Sequence, residues 1–206
     1  MAGRFISFEG GEGAGKTTQI LRLSKELTAR GYDVVTTREP GGTPGAEAIR
    51  ALLVEGEPAR WNGRTEALLM NAARADHVSR AIIPALERGS WVLCDRYAHS
   101  TLAYQGHARG MDMKALLALH DVATDGLWPT LTFLLDLPVE AGLGRARGRG
   151  GKEARFEGEA LAFHQKVHEG FLSLLHEDSC MKRIDAMQDE DAVAGDIWRA
   201  VAPLLS

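Results

Sequence analysis

One stretch, Gly10-Gly11-Glu12-Gly13-Ala14-Gly15-Lys16-Thr17, limits what this chain can fold into more than any other. It fits the pattern Gly-x-x-x-x-Gly-Lys-[Ser/Thr]. Before it stands a short apolar run, Phe5-Ile6-Ser7-Phe8, and after it Thr18 to Arg30 carries leucines at 21, 23 and 27. Strand, glycine loop and helix in that order are the setting of a phosphate-binding P-loop. Glycines let the backbone turn tightly and approach an anion. Loop N–H groups and the positive helix end then surround the phosphates. Lys16 is placed to reach the β- and γ-phosphates, and the Thr17 hydroxyl to hold Mg²⁺. An ordinary glycine turn is the bland alternative, and the flanking elements argue against it. Residues Gly10 to Thr18 thus form a candidate site for ATP or another nucleoside triphosphate.

The rest of the chain alternates short apolar runs with helical patterns. Runs expected as strands are 32–37, Trp91–Asp95, Leu131–Asp136 and Met181–Asp185. Trp91–Asp95 and Leu131–Asp136 are apolar almost throughout, as strands covered on both faces should be. Helices are expected at 46–54, from a Thr65 cap to near Gly89 with a distortion at Pro84, at 111–124, from Pro138 onward, at 157–177 and at 189–205. Ser100 to Gly106 reads as a polar and aromatic stretch, and Arg145 to Gly151 as a glycine- and arginine-rich loop. This pattern predicts an α/β fold with a five-stranded parallel sheet and helices on both faces. With 206 residues, no repeat and no linker, one domain is expected. Ligands then belong beyond the carboxyl ends of the strands, where the polar motifs fall.

Composition excludes several classes. The net charge of −4, with acids and bases mixed, argues against a nucleic-acid platform. Two unpaired-looking cysteines, Cys94 and Cys180, argue against a disulfide framework or zinc site and favour a cytoplasmic setting. No signal peptide or membrane span is expected. His164 and His168 have i, i+4 spacing, but Gln165 follows His164 and no third metal ligand suggests itself.

Around the loop, Asp95 ends a buried strand where a metal-binding acid is wanted, unless it only caps a turn. Arg96 and Arg38 are candidate guanidinium forks for phosphate, a surface ion pair being the alternative for Arg38. Arg145, Arg147, Arg149, Lys152 and Arg155 lie among glycines. They read as a mobile lid at about 145–157, or else as a solvated basic loop. A carboxylate inside an anion cradle repels the anion, so Glu12 must point away or meet a cation or hydroxyl.

Several segments together resemble the bacterial thymidylate kinases, nearly end to end. They are Phe8-Glu9-Gly10 through Lys16-Thr17-Thr18, Arg38-Glu39-Pro40-Gly41-Gly42-Thr43, Ala72-Ala73-Arg74, Asp95-Arg96-Tyr97, Ser100-Thr101 with Ala103-Tyr104-Gln105-Gly106, and Arg155-Phe156-Glu157. The P-loop alone is generic, whereas the second and fourth segments together are quite specific. The resemblance implies a P-loop kinase fold, phosphoryl transfer from MgATP to dTMP, and a homodimer packed through long helices. It implies that Arg74 binds the thymine ring, with Ser100, Thr101 and Gln105 at the acceptor site, and that Tyr104 crowds the sugar 2′ position. Arg38 and Arg96 would hold the dTMP phosphate, and Glu12 the 3′-hydroxyl. Gly13 stands where some relatives carry an arginine, so Arg149 of the lid would supply that charge, with Arg145, Arg147 and Arg155 near ATP. Met70 stands where the family often has phenylalanine, and a thioether can still cover a base. Another P-loop kinase, a nucleotide switch and a dead P-loop are the rivals. The switch lacks an Asn-Lys-x-Asp motif, and an intact Lys16-Thr17 disfavours the last.

Overall fold

A computed structural model describes residues 3–57, 60–147 and 159–205. Its five strands are β1 (Arg4–Glu9), β2 (Val34–Arg38), β3 (Trp91–Asp95), β4 (Leu131–Asp136) and β5 (Met181–Asp185). They form one parallel sheet in the order β2-β3-β1-β4-β5. The helices that matter below are α1 (Lys16–Ala29), α2 (Pro44–Val54), α3 (Gly63–His77), α4 (Ile83–Glu87), α5 (Ala98–Thr101), α6 (Met113–Thr124), α7 (Val139–Arg147), α8 (Leu161–Glu177) and α9 (Glu190–Val201).

The sheet is buried on both faces because its strands are apolar on both. Ile6 and Phe8 of β1 pack with Leu93, Phe133 and Leu135 against Leu23 and Leu27 of α1 and Ile197 of α9. Phe5, Val92 and Cys94 face the other way, against Val78, Ile82 and Tyr97. Each such large side chain contributes about 1.5–3 kcal/mol relative to exposure. Register pairs Phe8 with Asp95 and Asp95 with Arg38. The turns after β1, β2 and β3 therefore open side by side at one edge.

Four local readings change. Asn62, not Thr65, caps α3: its side chain accepts from the Thr65 N–H, so the helix starts a turn earlier. Pro84 acts upstream of itself, where Val78–Ile82 is a π-helical turn. The stretch from 100 to 106 is helical, α5 running into a π-helix over Leu102–Ala108. Arg145 lies in α7 rather than in a loop, since that helix continues past Gly142 and Gly144. The sequence start for the following helix, 157, falls outside the described residues, and α8 begins at Leu161.

Candidate active site

A cleft of about 300 Å³ opens at the carboxyl edge. One wall is the loop from Glu12 to Thr17. The other is built from Met70 and Arg74 of α3, Asp95 and Arg96 after β3, and Ser100, Thr101, Tyr104 and Gln105. Thr101 ends α5, and Tyr104 and Gln105 lie in the π-helix that continues it. At i, i+3 and i+4 the three share the helix face that lines the cleft.

The loop is held by its own glycines and lysine. Gly10, Gly13 and Gly15 have φ of 133°, 68° and 88°, a region that favours glycine. Lys16 Nζ donates to the carbonyls of Gly10 and Gly11 at 3.2 and 3.0 Å. Burial, aided by Arg96, lowers its pKa below the usual lysine range. Thr17 Oγ1 donates to Asp95 Oδ2 at 3.0 Å. A hydroxyl and a carboxylate beside the phosphate cradle are hard oxygen donors of the kind that suit magnesium, which keeps phosphate and water as its other ligands.

Arg96 links the two walls. It adopts a left-handed φ of 68°, unusual for a side chain of this size. Its Nη1 donates to Gly10 O at 3.0 Å and Ser100 Oγ at 3.1 Å, and its Nη2 to Glu12 Oε1 at 2.8 Å. Its guanidinium also lies 5.2 Å from the Tyr104 ring centroid. The Tyr104 hydroxyl donates to the same Glu12 oxygen at 3.3 Å. Glu12 thus meets both a cation and a hydroxyl. Burial would raise its pKa, but Arg96 and Lys16 hold it below the usual carboxylate range.

Arg74 is fixed by a buried network. Its Nε donates to Glu39 Oε2 at 2.7 Å and its Nη2 to Thr101 Oγ1 at 3.0 Å. The second Glu39 oxygen meets His77 Nδ1 at 3.0 Å. Gln105 donates through Nε2 to Glu66 at 3.1 Å, while its buried Oε1 has no partner among the described residues. Arg38 lines the cleft but is half exposed, and its Nη2 donates to both Glu47 oxygens at 3.2 Å. Arg145 Nη1 donates to Ala186 O at 3.1 Å, at the loop after β5. Arg149 and Arg155, with most of the lid segment, lie outside the described residues. His168 of the discounted pair bonds Asp136 through Nε2 at 2.6 Å.

Sequence reasoning overlooked three supports. Glu9, fully buried, accepts from the Tyr97 N–H at 2.8 Å and Ser100 Oγ at 2.6 Å, tying β1 to the turn that carries Arg96. Burial raises its pKa, against the opposing pull of His99, Ser100 and Arg96. A carboxylate ending an apolar strand was the available signal. Glu39 with His77 is the second, and Arg50, which lines the cleft and donates to Pro40 O at 2.5 Å, is the third.

A P-loop on a parallel sheet, facing an arginine-lined cleft, has the layout of a P-loop phosphotransferase of the nucleoside monophosphate kinase type. A family model described as thymidylate kinase matches residues 8–197. A thymidylate kinase from Caulobacter vibrioides is 54% identical over 205 residues, covering 98% of each chain. One from Magnetococcus marinus is 51% identical, covering 98% of this chain and 96% of its own. The crystal structure of thymidylate kinase from Ehrlichia chaffeensis superposes with a TM-score of 0.80 at 28% identity, covering 98% of this chain and all of that one. The chain belongs to the thymidylate kinase family, and its activity is that of a thymidylate kinase.

Proposed function

We propose that the protein transfers the γ-phosphoryl group of ATP to dTMP, giving dTDP and ADP, with the residues above in defined roles. The observation that carries the assignment is the Arg96 guanidinium, which joins the P-loop at Gly10 and Glu12 to the acceptor wall at Ser100. Arg96, with Arg38 at the rim, binds the acceptor phosphate. Arg74 reads the thymine carbonyl edge with Thr101 and Gln105, and Met70 covers the ring. Glu12 accepts from the sugar 3′-hydroxyl, and Tyr104 fills the space a 2′-hydroxyl would need. Lys16 and the loop N–H groups bind the donor phosphates. A magnesium ion held by Thr17 and Asp95 would neutralise charge on those phosphates.

An oxygen of the acceptor phosphate, already an anion, attacks the γ-phosphorus while the bond to the β,γ-bridging oxygen breaks. No strong general base is needed, so catalysis is alignment and charge neutralisation. Arginines of the segment from 145 to 157, Arg149 first, bring further positive charge once both substrates are bound. Arg145 and Arg147 start that segment on α7.

Exposed Leu68 on α3 and Leu117 and Val122 on α6 support pairing of two chains through these helices. Among the described residues no helix is long and apolar enough to cross a membrane. We place the enzyme in the cytoplasm.

Two variants test the roles. Lys16→Ala should lower kcat by on the order of a hundredfold or more in a folded protein. Tyr104→Ala should raise kcat/KM for the ribose analogue relative to dTMP. Normal turnover in the first, or an unchanged ratio in the second, removes the corresponding role.

A further inference from the structure

Behind the P-loop lies a second, much smaller void of about 20 Å³. Its wall includes Gly10, Gly11, Glu12, Tyr104, His164 and Phe171. His164 projects from α8 and is 6% exposed. Its Nε2 is buried and has no hydrogen-bond partner among the described residues. A buried ring nitrogen is a polar group that folding normally satisfies. By the same measure one water needs about 10–15 Å³ and two or more polar partners. The void supplies the space, and Glu12, Tyr104 and the backbone of Gly10 and Gly11 supply polar atoms beside His164.

The position bears on Glu12. Arg96 and Tyr104 both contact its Oε1. Neither contact reaches Oε2. A partner on the void side would. Burial lowers the His164 pKa and favours the neutral ring, with Glu12 and Glu159 pulling the other way and Arg96 adding to the lowering.

We propose that His164 is a positioning residue. Its Nε2 holds one buried water in the void behind the P-loop, and through that water it fixes the Glu12 carboxylate toward the acceptor sugar. The proposal rests on the reading that Glu12 accepts from the 3′-hydroxyl. It adds a residue 152 positions away that the site description does not otherwise use.

The test compares dTMP with 3′-deoxy-dTMP at saturating ATP. His164→Phe removes the nitrogen and should lower kcat/KM for dTMP about tenfold while changing that for 3′-deoxy-dTMP less than about twofold. His164→Gln, which returns a polar atom near the Nε2 position, should recover most of the loss. The KM for ATP should not move in either variant. Equal losses on both acceptors, or no loss on either, overturn the proposal. Glu12→Gln serves as the reference. If it favours 3′-deoxy-dTMP and His164→Phe does not, only the role of His164 falls. If Glu12→Gln penalises both acceptors alike, the reading of Glu12 falls and takes this proposal with it. A crystal structure of the wild-type protein with dTMP should show an ordered water within hydrogen-bond reach of Nε2. A dry void there overturns the proposal even if the His164 variants do not fold.

Discussion

Gly13 of the P-loop packs against Gly142 of α7 so closely that neither position has room for a β-carbon. One on Gly13 would run into the Gly142 carbonyl oxygen, and one on Gly142 into the Glu12 carbonyl oxygen. The helix that leads into the arginine-rich segment is therefore seated directly on the P-loop. Gly142→Ala should destabilise the fold by about 1–3 kcal/mol, the usual cost of overpacking, and lower kcat by displacing the loop. Gly144, two residues on, has open space around it. Gly144→Ala should be neutral, or stabilising by up to about 1 kcal/mol through helix propensity. Thermal unfolding and kcat of the two variants check this, and matching effects would mean the contact is incidental.

Arg74 and Glu39 form a pair in which both side chains are at least nine-tenths buried. Removing one charge strands the other, at a cost of about 3–5 kcal/mol. Glu39→Gln should therefore lower the unfolding midpoint and raise the KM for dTMP, because Arg74 loses its anchor. Burial alone would raise the Glu39 pKa, but Arg74 and His77 lower it below 4.5. The pair's contribution is thus full above pH 4.5 and is lost as pH falls toward the folded value. Denaturant titrations across the acid limb should show a steeper loss in the wild type than in Glu39→Gln. Parallel curves would contradict the pairing as the source.

His120 gives a second pH signature. Burial, with Arg74 nearby, pushes its pKa down to about 4 from 6.5. Its Nε2 meets Leu127 O at 3.1 Å, while Nδ1 is buried without a partner among the described residues. A proton added at Nδ1 would have no acceptor. Below pH 6.5 the unfolded chain takes up that proton and the native one does not, so stability falls as pH drops toward 4. The loss between pH 6.5 and 5 should be on the order of 2 kcal/mol. His120→Gln should remove most of it when urea midpoints are compared at the two pH values. An equal pH dependence in both proteins would assign the loss to other groups.

The sheet was legible because its signal is local. Leu131 to Asp136 is a continuous run, and every residue of β4 is buried. The phosphate loop was legible for the same reason, its residues being contiguous and its glycines forced by backbone geometry. What escaped depends on pairs far apart in sequence. Glu39 and Arg74 meet across 35 residues, and Glu9 meets Ser100 across 91. For Glu39 nothing local marks a support rather than a surface charge, and for Glu9 the only local mark is its place at the end of an apolar strand. The π-helix at Leu102–Ala108 escaped because its buried polar residues, Tyr104 and Gln105, stand among apolar ones and leave no one-sided apolar stripe, and both line the cleft. Asn62 and Thr65 are both residue types that cap well, and only the entry of the preceding loop decides between them.

The most direct measurement is ADP release at fixed ATP with dTMP, dUMP, UMP, dCMP and AMP in parallel. With Arg74, Thr101 and Gln105 proposed around the base and Tyr104 proposed against the sugar, dTMP is expected to be the acceptor with the highest kcat/KM. UMP is expected far below it, with little ADP without an acceptor. ATP hydrolysis that ignores the acceptor, or a clear preference for AMP, dCMP or UMP, would contradict the account.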